Sequence, residues 1–304
     1  MLCWSMSAQA QHDHSAASGT INAEILAPAT FQSGNVAKTV LRLTTHGGKP
    51  VTPDQLKLAH TEKLHLLVID KTLTDYHHEH PVPAEKAGEY AFEFSPRVGG
   101  TYSIWADVVP ITTNVQEYVR TDVQVQGAPA QQDNTVNTTA EAAGYRFTLS
   151  TESNRPLEAG RGALLKIKVT TADGKEFKNL EPVMGAFAHM VGFPQNLESV
   201  MHVHPLGEEP QMPTDRGGPD LSFHVEPEQL GFHKFFLQTQ IGGCEIYAGF
   251  GLNVERTATD AGASHAARYT CPMHPAVKQG SPGKCPECGM SLVADQPEAH
   301  QHQH

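Results

Sequence analysis

The stretch from Tyr269 to Val293 holds three cysteines, one histidine and two methionines. Cys271 and His274 are three positions apart, as are Cys285 and Cys288. Two such pairs joined by a loop build a four-ligand tetrahedral site. Prolines and glycines beside each pair bend the chain into knuckles that aim neighbouring side chains at one centre. A segment this short buries too little apolar surface to offset its ordering entropy, whereas a structural metal returns roughly 10–16 kcal/mol. Thiolates suit soft ions, so Cu(I) or Ag(I) is the expected ligand, with Met273 and Met290 as further thioether donors. The alternative is Zn in a Cys3His ribbon that only holds the segment in shape.

A second set of candidate ligands lies upstream. His65 precedes His78 by thirteen residues and His189 precedes His202 by the same interval; His80-Pro81 and His204-Pro205 follow at matching positions. Side chains two apart on a strand share a face, so each His-x-His presents two imidazoles together. A hairpin turning near 70–75 would bring His65 beside His78 and His80, and its counterpart would bring His189 beside His202 and His204, with Met201 as a neighbouring sulfur. Three imidazoles suit Cu(II), Zn or Ni. Repeated histidines can equally be kept for the fold, as edge-strand caps. His46, His60, His224 and His233 read as surface or packing residues, the alternating His300, His302 and His304 of the tail as weak ligands or solvated filler, and Cys244 as a buried inert thiol.

These motifs carry a resemblance. Tyr269-Thr270-Cys271-Pro272-Met273-His274-Pro275 with Cys285-Pro286-Glu287-Cys288-Gly289-Met290 resembles the short heavy-metal-binding domain of copper- and silver-exporting ATPases and efflux adaptors. The resemblance covers about a twelfth of the chain and implies the handling of soft ions. More loosely, the segments around Leu64 to Val68 and Met184 to Val191 resemble poorly characterised secreted bacterial proteins that occur with such domains.

The elements that must hold these residues read as β-structure. Apolar and polar residues alternate over Val40 to Thr44 and Leu164 to Val169, between turn formers. Leu41 to Lys49 corresponds to Ile167 to Lys175, and Pro96 to Gly100 to Pro227 to Gly231, so the domain is duplicated. The expected fold is mainly β, two tandem immunoglobulin-like β-sandwiches plus a small C-terminal metal-binding ribbon. The expected order is an export-signal remnant at 1–10, a disordered stretch at 11–20, repeat 1 at 21–127, a linker at 128–143, repeat 2 at 144–255, a linker at 256–268, the heavy-metal-binding domain at 269–293 and a His-rich tail at 294–304. The registers of the two His-x-His segments conflict over which side faces inward, which predicts edge or bulged strands there.

A net charge of −11 argues against nucleic acid as a partner, and no apolar run approaches the length of an integral membrane segment. Ala8-Gln9-Ala10 resembles a cleavage site before Gln11, so a periplasmic or secreted protein is expected. With no nucleophile elbow, phosphate loop or paired carboxylates, no enzyme activity is expected. The leading reading is a binder that sequesters or delivers Cu(I) or Ag(I), with an efflux pump or metal-exporting ATPase as partner. Two other readings stay open: a protein- or glycan-binding module with a structural zinc ribbon, and a copper-dependent redox enzyme using the repeat histidines.

Overall fold

The computed structural model describes residues 19–26, 31–59, 61–151, 155–203, 205–256, 269–280 and 283–294. The proposed signal remnant, nearly all of the 11–20 stretch, His204, nearly all of the 256–268 linker and all but the first residue of the tail lie outside them. The described chain is built from strands and one short 3-10 turn, Pro53–Gln55.

Each repeat is a β-sandwich. In repeat 1 the strands Ile21–Leu26, Ala37–Thr45, Glu89–Phe94 and Val82–Pro83 form one sheet. Phe31–Gln32, Glu117–Gln126, Gly100–Val108, Leu64–Asp70 and Tyr76–Glu79 form the other. Repeat 2 builds its inner sheet in the same order, from Leu157–Glu158, Cys244–Glu255, Gly231–Ile241, His189–Pro194 and Met201–Val203. His78 and His202 therefore both sit on edge strands. In Ala163–Thr171, Leu165, Ile167 and Val169 are buried while Lys166 and Lys168 are exposed, the alternation of a strand with one wet face.

Leu64–Asp70 and His189–Pro194 break that alternation, because every residue in both is buried. One face of each fills its own sandwich core, and the other meets the opposite repeat. Leu67, Ile69, Tyr76 and Trp105 pack there against Val191, Phe193 and Phe236. Tyr76 stacks on Phe236 with ring centroids 4.9 Å apart. The repeats thus form four layers of sheet with a third apolar core at the seam.

The segment expected to be a linker is an ordered strap. Asp133 pairs with the buried Lys234 at 2.5 Å, the backbone N–H of Asn137 donates to the carbonyl of Gly251, and Thr139–Ala142 is a strand paired with Tyr145–Thr151. Its composition looked like a loop, but an acid placed to neutralise a buried ammonium and a short alternating strand give it fixed partners. Cys244 also differs from expectation. Gly242 and Gly243, both at positive φ, turn the chain tightly, and the thiol just after them is exposed.

Repeat 1 carries a buried polar anchor without a counterpart in repeat 2, where Ser199 takes the place of Asp75 and His233 that of Tyr102. Asp75 accepts hydrogen bonds from Arg97 Nε and the Arg97 backbone N–H, both at 2.6 Å, and from the Tyr102 hydroxyl at 2.5 Å. His77 Nε2 lies 3.0 Å away. Burial would raise this carboxyl, but His77, Tyr102 and Arg97 outweigh it and hold Asp75 well below the usual carboxylate range. A depressed carboxyl stabilises the fold above its unfolded value near 3.9, and that contribution is lost as pH falls. Asp75→Asn is therefore expected to cost about 2–4 kcal/mol at pH 7 and clearly less near pH 2, well below the unfolded value. Urea unfolding at the two pH values checks this, and an equal loss at both would contradict it.

Candidate metal centres

The C-terminal ribbon has a sheet of three short strands, Tyr269–Thr270, Lys278–Gln279 and Val293–Ala294. Its small core is Cys271, Cys285 and Leu292, with Tyr269 and Val277 against them. Two tight turns aim the ligands. The backbone N–H of His274 donates to the carbonyl of Cys271, and that of Gly289, at positive φ, donates to the carbonyl of Cys285.

The result is the predicted constellation. Cys271 Sγ lies 3.6 Å from Cys288 Sγ and 3.7 Å from His274 Nδ1, and Cys285 Sγ lies 3.5 Å from the same nitrogen. All four ligand atoms fall within 4.8 Å of one another. Metal–sulfur bonds of about 2.3 Å and a metal–nitrogen bond of about 2.0 Å give tetrahedral edges of roughly 3.5–3.8 Å, so the donors fit one ion without rearrangement. His274 Nε2 faces Glu287 at 3.4 Å, a carboxylate placed to orient the ring while Nδ1 faces the sulfurs.

The thiols are unequal. Burial pushes the Cys285 thiol up, but backbone N–H groups of Glu287 and Cys288 more than compensate and bring it down to about 7. Desolvation and the neighbouring cysteines push Cys288 up to about 11. Cys271 and Cys285 are buried whereas Cys288 is exposed, so an ion would be approached from the Cys288 side. Met273 is half exposed, and Met290 contributes its backbone carbonyl to the N–H of Cys285.

The ribbon does not hang free. Glu226 of repeat 2 accepts hydrogen bonds from Lys284 at 2.9 Å and from the Ser291 hydroxyl. These contacts are polar, so the ribbon keeps its own core while resting on repeat 2.

The repeat histidines meet at the seam between the sandwiches. His65 Nδ1 lies 3.1 Å from both His78 Nε2 and His80 Nε2. His202 of repeat 2 stands against them, its ring centroid 5.1 Å from those of His65 and His78. His189 lies 6.0 Å from His202 and 6.3 Å from His78 by ring centroids, and His204, the third histidine of the expected repeat-2 set, lies outside the described residues. One expectation, Met201 as a ligand beside these rings, is corrected here. Met201 packs on the repeat-2 core, because adjacent positions on a strand point to opposite faces.

Two residues that orient the histidines escaped the sequence reading. His78 Nδ1 lies 2.8 Å from Gln238 Oε1, and His202 Nδ1 lies 2.7 Å from Asp107 Oδ2. Each pair crosses from one repeat to the other. Asp107 is opposite His65 in the ladder and Gln238 is opposite His189, so they are equivalent positions. Their shared spacing, eleven residues after Pro96 and Pro227, was the available signal. Burial lowers His65 to about 4 and also lowers His78 and His80, which keeps these rings neutral and able to ligate at pH 7.

Fold and ribbon together define a tandem β-sandwich protein with a heavy-metal-binding domain. A model described as heavy metal binding domain matches residues 268–294. The chain belongs to the family described as domain of unknown function DUF8832, whose model matches residues 19–127 and 139–256. A 24-residue stretch is 67% identical to part of a copper-exporting P-type ATPase of Legionella pneumophila. That stretch is 8% of this chain and spans only 3% of the ATPase. Among solved structures, Yersinia pseudotuberculosis InvD overlaps 82% of this chain and 61% of its own at 13% identity and a TM-score of 0.24. Escherichia coli alpha-2-macroglobulin activated by porcine elastase overlaps 91% of this chain and 27% of its own at 12% identity and a TM-score of 0.23. Overlaps this loose do not bear on function. Among the described residues no helix is long and apolar enough to cross a membrane.

Proposed function

We propose that this is an exported bacterial protein that sequesters Cu(I) or Ag(I), or hands it to an efflux partner such as a metal-exporting ATPase, without turnover chemistry. The observation that carries the reading is the convergence of three thiols and one imidazole at tetrahedral spacing in a ribbon with one exposed sulfur. Three thiolates favour a soft monovalent ion. An exposed Cys288 gives an incoming thiolate a place to attack, so the ion can pass by ligand exchange without being released. The likeness of the ribbon to a segment of a copper-exporting ATPase supports the same ion class.

Thiol alkylation followed by mass spectrometry tests this. Metal-free protein exposed to mild oxidant should lose two or more alkylatable thiols from Cys271, Cys285 and Cys288, because Cys271 and Cys288 already stand 3.6 Å apart. Protein preloaded with Cu(I) under inert gas should keep them, with the exposed Cys244 as the internal reference. Equal loss with and without Cu(I) would remove these cysteines as ligands.

A further inference from the structure

The seam between the repeats holds a second cluster of ligating atoms, independent of the ribbon, and its hydrogen bonds dictate where the lone pairs point. The Ala59 carbonyl, 2.9 Å from His65 Nε2, can only accept, so that nitrogen carries the proton and Nδ1 is the basic one. The amide nitrogen of Gln238 donates to the Glu245 carboxylate at 3.1 Å, which turns its oxygen toward His78. His78 Nδ1 is then the protonated nitrogen and Nε2 the basic one. Basic nitrogens of two neutral rings therefore face each other at 3.1 Å, with His80 Nε2 equally close to His65. Such a convergence is favourable only around a cation or a shared proton.

The ring positions fit a metal ion. Imidazoles bound tetrahedrally at about 2.0 Å place their ring centroids about 5.1 Å apart. The observed separations are 5.3 Å for His65–His78, 5.0 Å for His65–His80 and 4.9 Å for His78–His80. The ligand atoms of these three rings all lie within 4.8 Å of one another, and His202 stands beside them with its centroid 5.1 Å from those of His65 and His78, where a rotation of its ring would add a fourth nitrogen. Asp107 holds His202 by Nδ1 and is itself fixed by Gln116 Nε2 at 2.8 Å, the carboxylate–histidine arrangement that orients ligating rings.

We infer that His65, His78 and His80 of repeat 1 and His202 of repeat 2 form one composite site for a borderline divalent ion such as Cu(II) or Zn(II), oriented across the seam by Asp107 and Gln238. The duplication explains the geometry. Each repeat supplies an edge-strand histidine, His78 or His202, and an orienting residue for the other, and the pseudo-symmetry breaks because that residue is a carboxylic acid, Asp107, in repeat 1 and an amide, Gln238, in repeat 2. An all-nitrogen site at the seam and a sulfur-rich site in the ribbon would hold ions of different softness in one chain. Bound metal would also fasten the repeats to each other.

The test uses the full chain carrying Cys271→Ser, Cys285→Ser and Cys288→Ser, titrated with Cu(II) by calorimetry and electron paramagnetic resonance. One equivalent with nitrogen hyperfine structure is expected. His78→Gln in repeat 1 and His202→Gln in repeat 2 should each weaken that same equivalent at least about 100-fold, and Asp107→Asn should weaken it about 10–100-fold. Far-UV spectra and melting curves without metal verify that the variants fold. If His78→Gln does not fold, the shape-preserving Asp107→Asn and the rise in melting temperature on adding Cu(II) carry the decision: the parent should rise and Asp107→Asn should rise less. An equivalent that is lost in His78→Gln but unchanged in His202→Gln would overturn the composite site. So would Cu(II) binding indifferent to all three substitutions, the outcome expected if only the terminal histidines bind.

Discussion

Replacing Cys285 and Cys288 together with serine is expected to lower Cu(I) affinity by at least about a thousandfold, because it removes two of the four donors and most of the thiolate character of the site. The sandwiches should be unaffected. The ribbon keeps its own core of Cys271, Cys285 and Leu292, and its side-chain hydrogen bonds to repeat 2 among the described residues are the polar ones that Lys284 and Ser291 give to Glu226. A Cu(I) competition titration with a far-UV spectrum checks both halves of the expectation. Unchanged affinity would mean that the copper resides elsewhere, and a lost β-signal would mean that the ribbon is structurally part of repeat 2.

The second large effect is expected at the seam. Phe236 is buried between the repeats, stacked on Tyr76 and 6.4 Å from Phe193 by ring centroids. Phe236→Ala should cost about 3–5 kcal/mol, since a rigid aromatic cluster collapses poorly around a cavity. For a chain of this size that corresponds to a fall in melting temperature of roughly 6–15 °C. Neighbouring Gln238 sits on the same strand, so the loss should also loosen the His78–Gln238 contact and weaken Cu(II) binding at the seam. Calorimetric melting measures the first effect. A fall of less than about 2 °C would show that the seam adds little to stability.

Much of this architecture was legible in the chain. Alternation in Leu164 to Val169 and equal histidine spacing revealed duplicated β-domains, and the conflict in facing at His77 and Glu79 located an edge strand. The ribbon was legible because its ligands are local: a Cys-x-x-His turn and a Cys-x-x-Cys turn specify their own geometry. The seam was not, because its defining contacts join residues 160 and 95 positions apart and depend on how two outer sheet faces dock. One hint was present. Leu66-Leu67-Val68-Ile69 is apolar at every position, which a strand with one wet face would not be, and the second apolar face is the one that meets repeat 2. The 128–143 segment misled by composition, since its polar residues take specific partners such as Lys234.

The most direct measurement of the account is X-ray absorption on the full-length chain carrying one equivalent of Cu(I). Binding at Cys271, His274, Cys285 and Cys288 predicts a first shell dominated by sulfur at about 2.3 Å with one imidazole nitrogen near 2.0 Å. A shell of nitrogen and oxygen alone would place the copper away from the ribbon and contradict the assignment.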